Sequence, residues 1–198
     1  ILLVGNPIRS RILSGSRNEA TQIFQLAGGK PILFIMGGSQ GAFRINDMLL
    51  TILDEALNEF EIIHQTGNAN FKTVVEEAKA VLSETNTPYY HPFGFLNENE
   101  LRHAYAAADF IVSRAGSGSI FEIAALGKPS ILIPLPESAQ NHQVENAYAY
   151  ANTGAAIVLE EANMKPHFFL ERIRSVVFDE TEIDRMRKAA LRFAKPDA

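Results

Sequence analysis

Apolar residues come in short unbroken runs, separated by stretches in which they recur every three or four positions. Ile32-Leu33-Phe34-Ile35-Met36 is one such run, bounded by Pro31 and Gly37, and it suits a strand buried on both faces. Ile45, Met48, Leu49, Ile52, Leu53 and Leu57 follow at helical spacing, one face of an amphipathic helix. The unit then repeats, with further strands predicted at 60–64, 89–93, 110–113, 130–133 and 155–159. Helices are predicted between them at 70–82, 98–107, 119–126 and 141–152, and two more, at 166–178 and 181–194, close the chain. Six strands alternating with helices predict an α/β fold with a doubly wound, Rossmann-like parallel sheet, because parallel neighbours need a crossover and a helix supplies it. Ligands of such sheets sit beyond the carboxyl ends of the strands, which directs attention to the loops that follow them.

The chain has 198 residues and 46% hydrophobic content, enough for one compact domain with a full core. Residues 1–30 are mixed and polar and end in the breaker Gly28-Gly29-Lys30-Pro31. They are read as an interdomain linker and lead-in, with the domain proper over 31–198. The first residue is Ile1 rather than Met, and Ile1-Leu2-Leu3-Val4 reads as a strand end running into Gly5-Asn6-Pro7, so a chain cut from something longer is expected.

A net charge of -5 without a basic cluster argues against nucleic acid as a partner. The absence of cysteine excludes a disulfide scaffold or thiolate metal site and fits a reducing compartment such as the cytoplasm. No apolar run approaches the roughly 20 residues of a membrane span, and the opening apolar run is too short for a signal peptide. Five histidines without an H-x-x-x-H or carboxylate cluster, and no Asp-x-Asp pair, give no expected metal site.

Candidate chemistry gathers in three loops. Gly37-Gly38-Ser39-Gln40-Gly41-Ala42 lies between the first strand and its helix, where glycine lets the backbone approach a ligand and a helix start attracts anions. Ser39 has three readings there: a helix cap, an anion ligand, or the nucleophile of a G-x-S-x-G elbow. Arg114-Ala115-Gly116-Ser117-Gly118-Ser119 follows strand 110–113 and opens the next helix, with Glu122 three residues beyond Ser119 on the same side. Ser119 can donate to a phosphate. Glu122 can accept both hydroxyls of a ribose, or simply complement the positive helix end. After Leu132-Ile133-Pro134-Leu135-Pro136 comes the polar run Glu137-Ser138-Ala139-Gln140-Asn141-His142-Gln143. Its amides and imidazole suit sugar hydroxyls, or form a solvated loop capped by Asn141.

In order and spacing, Gly5-Asn6-Pro7-Ile8-Arg9, the loop 37–42, Ser113-Arg114-Ala115-Gly116, Glu122-Ile123, Gly127-Lys128-Pro129 and His142-Gln143 with Asn146-Ala147 resemble the MurG family of bacterial glycosyltransferases. The resemblance covers nearly the whole chain. It implies a GT-B fold of two doubly wound domains, of which this chain would be the C-terminal, UDP-GlcNAc-binding half. It also implies inverting, metal-independent transfer of N-acetylglucosamine from UDP-GlcNAc to lipid I, forming lipid II in peptidoglycan synthesis, with no cofactor. The family's donor contacts fall on Arg9, Ser39, Leu96, Ser117, Gly118, Ser119, Ile120, Phe121, Glu122 and Gln143. By that match Leu96 meets the uracil through its backbone, Ser119 a phosphate, Glu122 the ribose and Gln143 the sugar hydroxyls. Two departures are visible: residues 96–101 look longer than in some relatives, and His142 stands where others carry glutamine. The acceptor site, general base and membrane-binding patch belong to the family's other half. No catalytic base is therefore assigned to this chain, which would be inactive alone and reach the cytoplasmic face of the bacterial plasma membrane only peripherally, through the missing domain.

Two rival readings differ in class. A serine hydrolase would use Ser39, with His142 later in the chain. However, only 36 residues precede Gly37, none forms an HGGG-like segment, and the second glycine loop would have no role. A non-catalytic nucleotide-sugar-binding subunit of a split transferase would share every donor motif.

Overall fold

The computed structural model describes residues 8–37, 43–136 and 142–194. Six strands, β1 (Ile32–Met36), β2 (Glu61–Gln65), β3 (Tyr90–Phe93), β4 (Phe110–Arg114), β5 (Ser130–Ile133) and β6 (Ala156–Val158), form one sheet in the order β3-β2-β1-β4-β5-β6. Every neighbouring pair is parallel. The helices are α1 (Arg17–Phe24), α2 (Phe43–Leu57), α3 (Phe71–Val81), α4 (Glu98–Ala107), α5 (Ser117–Ala125), α6 (His142–Ala151), α7 (Pro166–Val177) and α8 (Glu180–Phe193).

The strands are apolar throughout because both faces are covered. Ile32, Phe34 and Met36 pack with residues of α1, α4, α5 and α6, whereas Leu33 and Ile35 pack with α2, α3 and α7, as the two-residue period of a strand requires. The chain leaves β1 for α2 on one face and β4 for α5 on the other. Order reverses between these neighbours, and the carboxyl ends at such a reversal are where ligands of these sheets bind.

The stretch expected as linker and lead-in is partly core. A 3-10 turn at Ser10–Ser14 and the short helix α1 send Ile12, Ala20 and Phe24 into the layer that holds α4. Phe24 meets Phe93 edge to face at 5.2 Å. With only Ala20 and Phe24 buried along its length, α1 has too little apolar periodicity to be read from pattern. Its cap was legible, since Ser16 accepts from the Glu19 amide in the Ser-x-x-Glu spacing of a capping box. Gly15 lets this segment press onto α4: a Cβ there would lie 2.0 Å from the Arg102 carbonyl and 2.9 Å from Ala106 Cβ. Gly15→Ala is expected to destabilise the chain by about 1–3 kcal/mol, measurable as a lower urea midpoint. An unchanged midpoint would mean that α1 shifts at no cost.

Two devices fix α4. At its start, Asn97 Oδ1 accepts from the amides of Asn99 and Glu100, at 2.9 and 3.1 Å, while Glu100 Oε2 accepts from the Asn97 amide at 2.8 Å. At its end, Lys128 Nζ donates to the carbonyls of Ala106 (3.2 Å) and Ala108 (2.7 Å), and burial pushes this amine down to about 8. The Gly127-Lys128-Pro129 motif is thus structural, with Gly127 in the left-handed region at φ 59°.

On the α2 face, His64 is fully buried. Asn46 Nδ2 donates to the Thr66 carbonyl at 3.0 Å, which orients the amide so that Asn46 Oδ1 faces His64 Nε2 at 3.0 Å. Nε2 therefore carries the proton, and Nδ1 accepts from the Tyr90 hydroxyl at 2.8 Å. Burial lowers the imidazole to about 3.

Candidate functional site

The carboxyl ends of β1 and β4 lie side by side, and the N-terminus of α5 follows the carboxyl end of β4. Gly116 caps α5 with extended backbone and no side-chain hydrogen bond. The Ile120 amide donates to the Gly116 carbonyl at 3.0 Å, so the amides of residues 117–119 precede the first helical bond. Ser117 and Gly118 are exposed and Ser119 is half-buried, and a Cβ built at Gly116 or Gly118 meets no atom of the described residues within 4 Å. The amides and helix dipole there favour an anion.

Glu122, one turn further along α5, is only 4% exposed. Arg9 grips it in a bidentate fork, Nε to Oε1 at 2.6 Å and Nη2 to Oε2 at 2.7 Å. The hydroxyl of Tyr105, on α4, lies 3.3 Å from Glu122 Oε2 and 3.5 Å from Met36 Sδ. The hydrogen bond to Glu122 raises the Arg9 guanidinium, and burial followed by the Glu122 charge raises the Tyr105 phenol well above its ordinary value. Arg9 and Glu122 are 113 residues apart, and both were expected at the site. A carboxylate offers about four lone-pair positions. Three are addressed here, so two incoming hydroxyls would require one present partner to yield.

Leu96 is buried, and its amide donates to Gln65 Oε1 at 3.1 Å. Its side chain is sunk in the core and its amide is already held. The side chain of Ile120 lies in the core, so it can meet a ligand only through its backbone, and the half-buried Phe121 ring tilts against Phe193 at 5.4 Å. Gln143 is half-buried on α6 and accepts from the Leu135 amide at 3.1 Å, tying the helix to the end of β5. Ser39, with the rest of 38–42, and the polar run 137–141 lie outside the described residues, as does Gly5-Asn6-Pro7. His142, the histidine a hydrolase would use, is exposed at the start of α6.

Arg114, at the end of β4, is turned away from any ligand role. It is almost fully buried, donates to the Ile133 carbonyl at 3.3 Å and pairs with Glu161. Two residues escaped the sequence reading. Tyr105 has the spacing of a core aromatic on an amphipathic helix, and only its hydroxyl betrays it. Gln65 stands in a polar run, His64-Gln65-Thr66-Gly67, that ends a buried strand at the same sheet edge as the glycine loops, and that position was the available signal.

Among the described residues, no group of three or more His, Asp or Glu side chains is arranged to hold a metal ion. No helix among them is long and apolar enough to cross a membrane.

Residues 32–198 match the family described as Glycosyltransferase family 28 C-terminal domain, and the chain belongs to that family. Its curated relatives include the UDP-N-acetylglucosamine--N-acetylmuramyl-(pentapeptide) pyrophosphoryl-undecaprenol N-acetylglucosamine transferases of Halothermothrix orenii and Listeria monocytogenes serotype 4a. The first is 36% identical over 199 residues, covering 99% of this chain and 53% of the relative. The second is 35% identical over 202 residues, covering 100% and 53%. The chain thus spans about half the length of the curated relatives it matches. Among solved structures, Acinetobacter baumannii MurG superposes with a TM-score of 0.73 at 27% identity, covering 94% of this chain and 52% of that one. The parallel doubly wound sheet is accordingly that of a Rossmann-like GT-B half. The C-terminal CMP-Kdo binding domain of WaaA from the same organism shares the fold alone, with a TM-score of 0.65 at 11% identity over 93% of this chain and 98% of that domain.

Proposed function

We propose that the chain is the donor-binding half of an enzyme that transfers N-acetylglucosamine from UDP-GlcNAc to lipid I, with inversion and without a metal. The observation that carries the reading is the Arg9–Glu122 pair, held by Tyr105 beside the N-terminus of α5. A nucleoside diphosphate needs that pairing of chemistries: a buried charged acceptor for ribose hydroxyls, and an amide-lined positive end for phosphates. Family membership and the named activity of the Halothermothrix and Listeria relatives supply the sugar and the acceptor.

In this reading the 4-hydroxyl of the muramoyl group attacks the anomeric carbon from the face opposite the diphosphate. The bond to the diphosphate breaks with inversion, and UDP leaves carrying the electron pair. Negative charge grows on the diphosphate as that bond stretches, and the amides at the start of α5 are aimed at it before reaction begins. Ser119 donates to a phosphate oxygen, Glu122 and Arg9 fix the ribose, Leu96 offers backbone to the uracil, and Gln143 reads the sugar hydroxyls. Ser39 contributes to the donor site from the loop after β1. Residues 1–30, much of which packs onto this half, lead from an acceptor domain that binds lipid I, supplies the general base, and rests peripherally on the cytoplasmic face of the bacterial plasma membrane.

Calorimetric titration with UDP-GlcNAc, UDP-GalNAc and UDP is expected to give binding of all three, with preference for the first sugar. Incubation of the chain with UDP-GlcNAc and a lipid I analogue is expected to give no product. Absence of UDP binding would remove the donor site, and detectable transfer would show that this half carries its own base.

A further inference from the structure

Gln65 closes β2, in register with Met36 of the neighbouring β1. By the two-residue period of the strand its side chain shares the face of Ile63, which packs with Met36, Tyr105, Leu96 and Ile120, the layer that also holds Glu122. Its position is pinned from one side. The Leu96 amide can only donate, so the Gln65 atom that meets it at 3.1 Å is the carbonyl oxygen Oε1. The two N–H groups of Gln65 Nε2 must then point away from Leu96. They have no hydrogen-bond partner among the described residues, and although the residue is only 7% exposed, Nε2 is not among the buried atoms left without a partner and so keeps an opening to solvent. A primary amide half-used on a ligand-binding edge is a donor waiting for an acceptor.

We infer that Gln65 is a specificity-determining residue of the nucleobase pocket, holding the Leu96 backbone with its oxygen and donating from its nitrogen to the 4-carbonyl of a uracil. The inference rests on the donor-site reading above, which puts the ribose at Glu122. Met36 Sδ and Glu122 Oε2 are bridged by the Tyr105 hydroxyl, and Gln65 is the next strand neighbour beyond Met36. In the sheet order, β2 lies two strands from β4, about 10 Å. A base extending from a ribose on the β4–α5 side therefore meets β2 with its far edge, which carries position 4, and not with the edge bearing the glycosidic bond. At that position uracil presents an acceptor and cytosine an amino donor. A donor fixed by its own second hydrogen bond rejects cytosine, because the amide cannot flip without turning its N–H groups onto the Leu96 N–H.

The test is the ratio of UDP to CDP affinity, measured on the same protein by calorimetry. This ratio does not depend on the folded fraction of a preparation. Gln65→Glu keeps the size and the acceptor for Leu96 but replaces the donor with an anionic acceptor. UDP affinity is expected to fall by about tenfold or more and the UDP-over-CDP ratio to collapse or invert, since the cytosine amino group now finds a partner. Gln65→Met, which offers neither function, should lower the ratio without improving CDP binding, and it carries the test if the glutamate variant does not fold. A ratio unchanged from the parent in the variant that folds would overturn the inference while leaving the donor-site reading intact. Failure of the parent chain to bind either nucleotide would overturn both.

Discussion

Glu122→Gln is expected to lower affinity for UDP by about ten- to a hundredfold, the effect of losing hydrogen bonds worth roughly 1.5–3 kcal/mol to a charged acceptor. The substitution keeps the shape of the side chain and one acceptor oxygen. It removes the charge that binds Arg9 at 2.6 and 2.7 Å, so the folded protein also loses a pair whose acidic member is buried. These two consequences must be separated. A helix-end acid with no ligand would give a stability loss of roughly 0.3–1 kcal/mol and leave ligand affinity alone. The ribose reading requires more: the parent chain prefers UDP over 2′-deoxy-UDP, and the Gln variant loses most of that preference. Calorimetry at a temperature where both proteins are folded decides it, and an equal preference in the two proteins would take Glu122 out of the ribose site. Arg9→Gln, combined with Glu122→Gln in a double-mutant cycle, then shows how much of the effect belongs to the pair.

The second large effect is acid destabilisation through His64, whose imidazole is lowered to about 3 by burial. In the unfolded chain a histidine titrates near 6.5. Below that pH the unfolded ensemble takes up a proton that the folded state refuses, so stability is full above about 6.5 and falls as pH drops toward 3. The slope is about 1.4 kcal/mol per pH unit. Protonating Nδ1 in the fold would also break the hydrogen bond it accepts from Tyr90. Carboxylates held below their ordinary values, such as Asp54 by Ser83 and Asn86 and Glu182 by Arg185, add their own losses further down, from about pH 4. The interval from 6.5 to 5 therefore lies above the carboxylate range, and the contribution of His64 to the loss there is about 2 kcal/mol. Urea unfolding at pH 7 and pH 5 measures it, and His64→Gln should flatten the slope although it lowers stability at both. Equal slopes in parent and variant would show that His64 does not carry the acid sensitivity.

The sheet was legible because each strand is an apolar run closed by a turn residue, and burial on both faces leaves no alternation to confuse it. All six strands fall within a residue or two of their expected spans. α1 was hidden because its contribution to the core is two small patches separated by polar residues, and only contact with α4 makes them core. The same limit shaped the site. The second glycine loop and Glu122 could be placed at the carboxyl edge from the alternation of strands and helices alone. The grip of Arg9 on Glu122 depends on how residues 8–16 fold back along α4, and the roles of Gln65 and Tyr105 depend on strand register and on which face each side chain takes. Those are tertiary facts with no local signature.

Folding of residues 10–28 onto the sheet changes where a gene for this domain should be cut. The family match begins at Ile32, yet a polypeptide begun there would expose the groove that Ile12, Ala20 and Phe24 fill. It would also strip the fully buried Glu61 carboxylate of the Ala27 and Gly28 amides that hold it at 2.6 and 3.0 Å, leaving His91 as its one side-chain partner among the described residues. An uncovered apolar groove invites association, and a buried charge robbed of partners costs several kcal/mol. A soluble recombinant domain needs its start upstream of Arg9, so that the polypeptide which completes the core also delivers the guanidinium to Glu122.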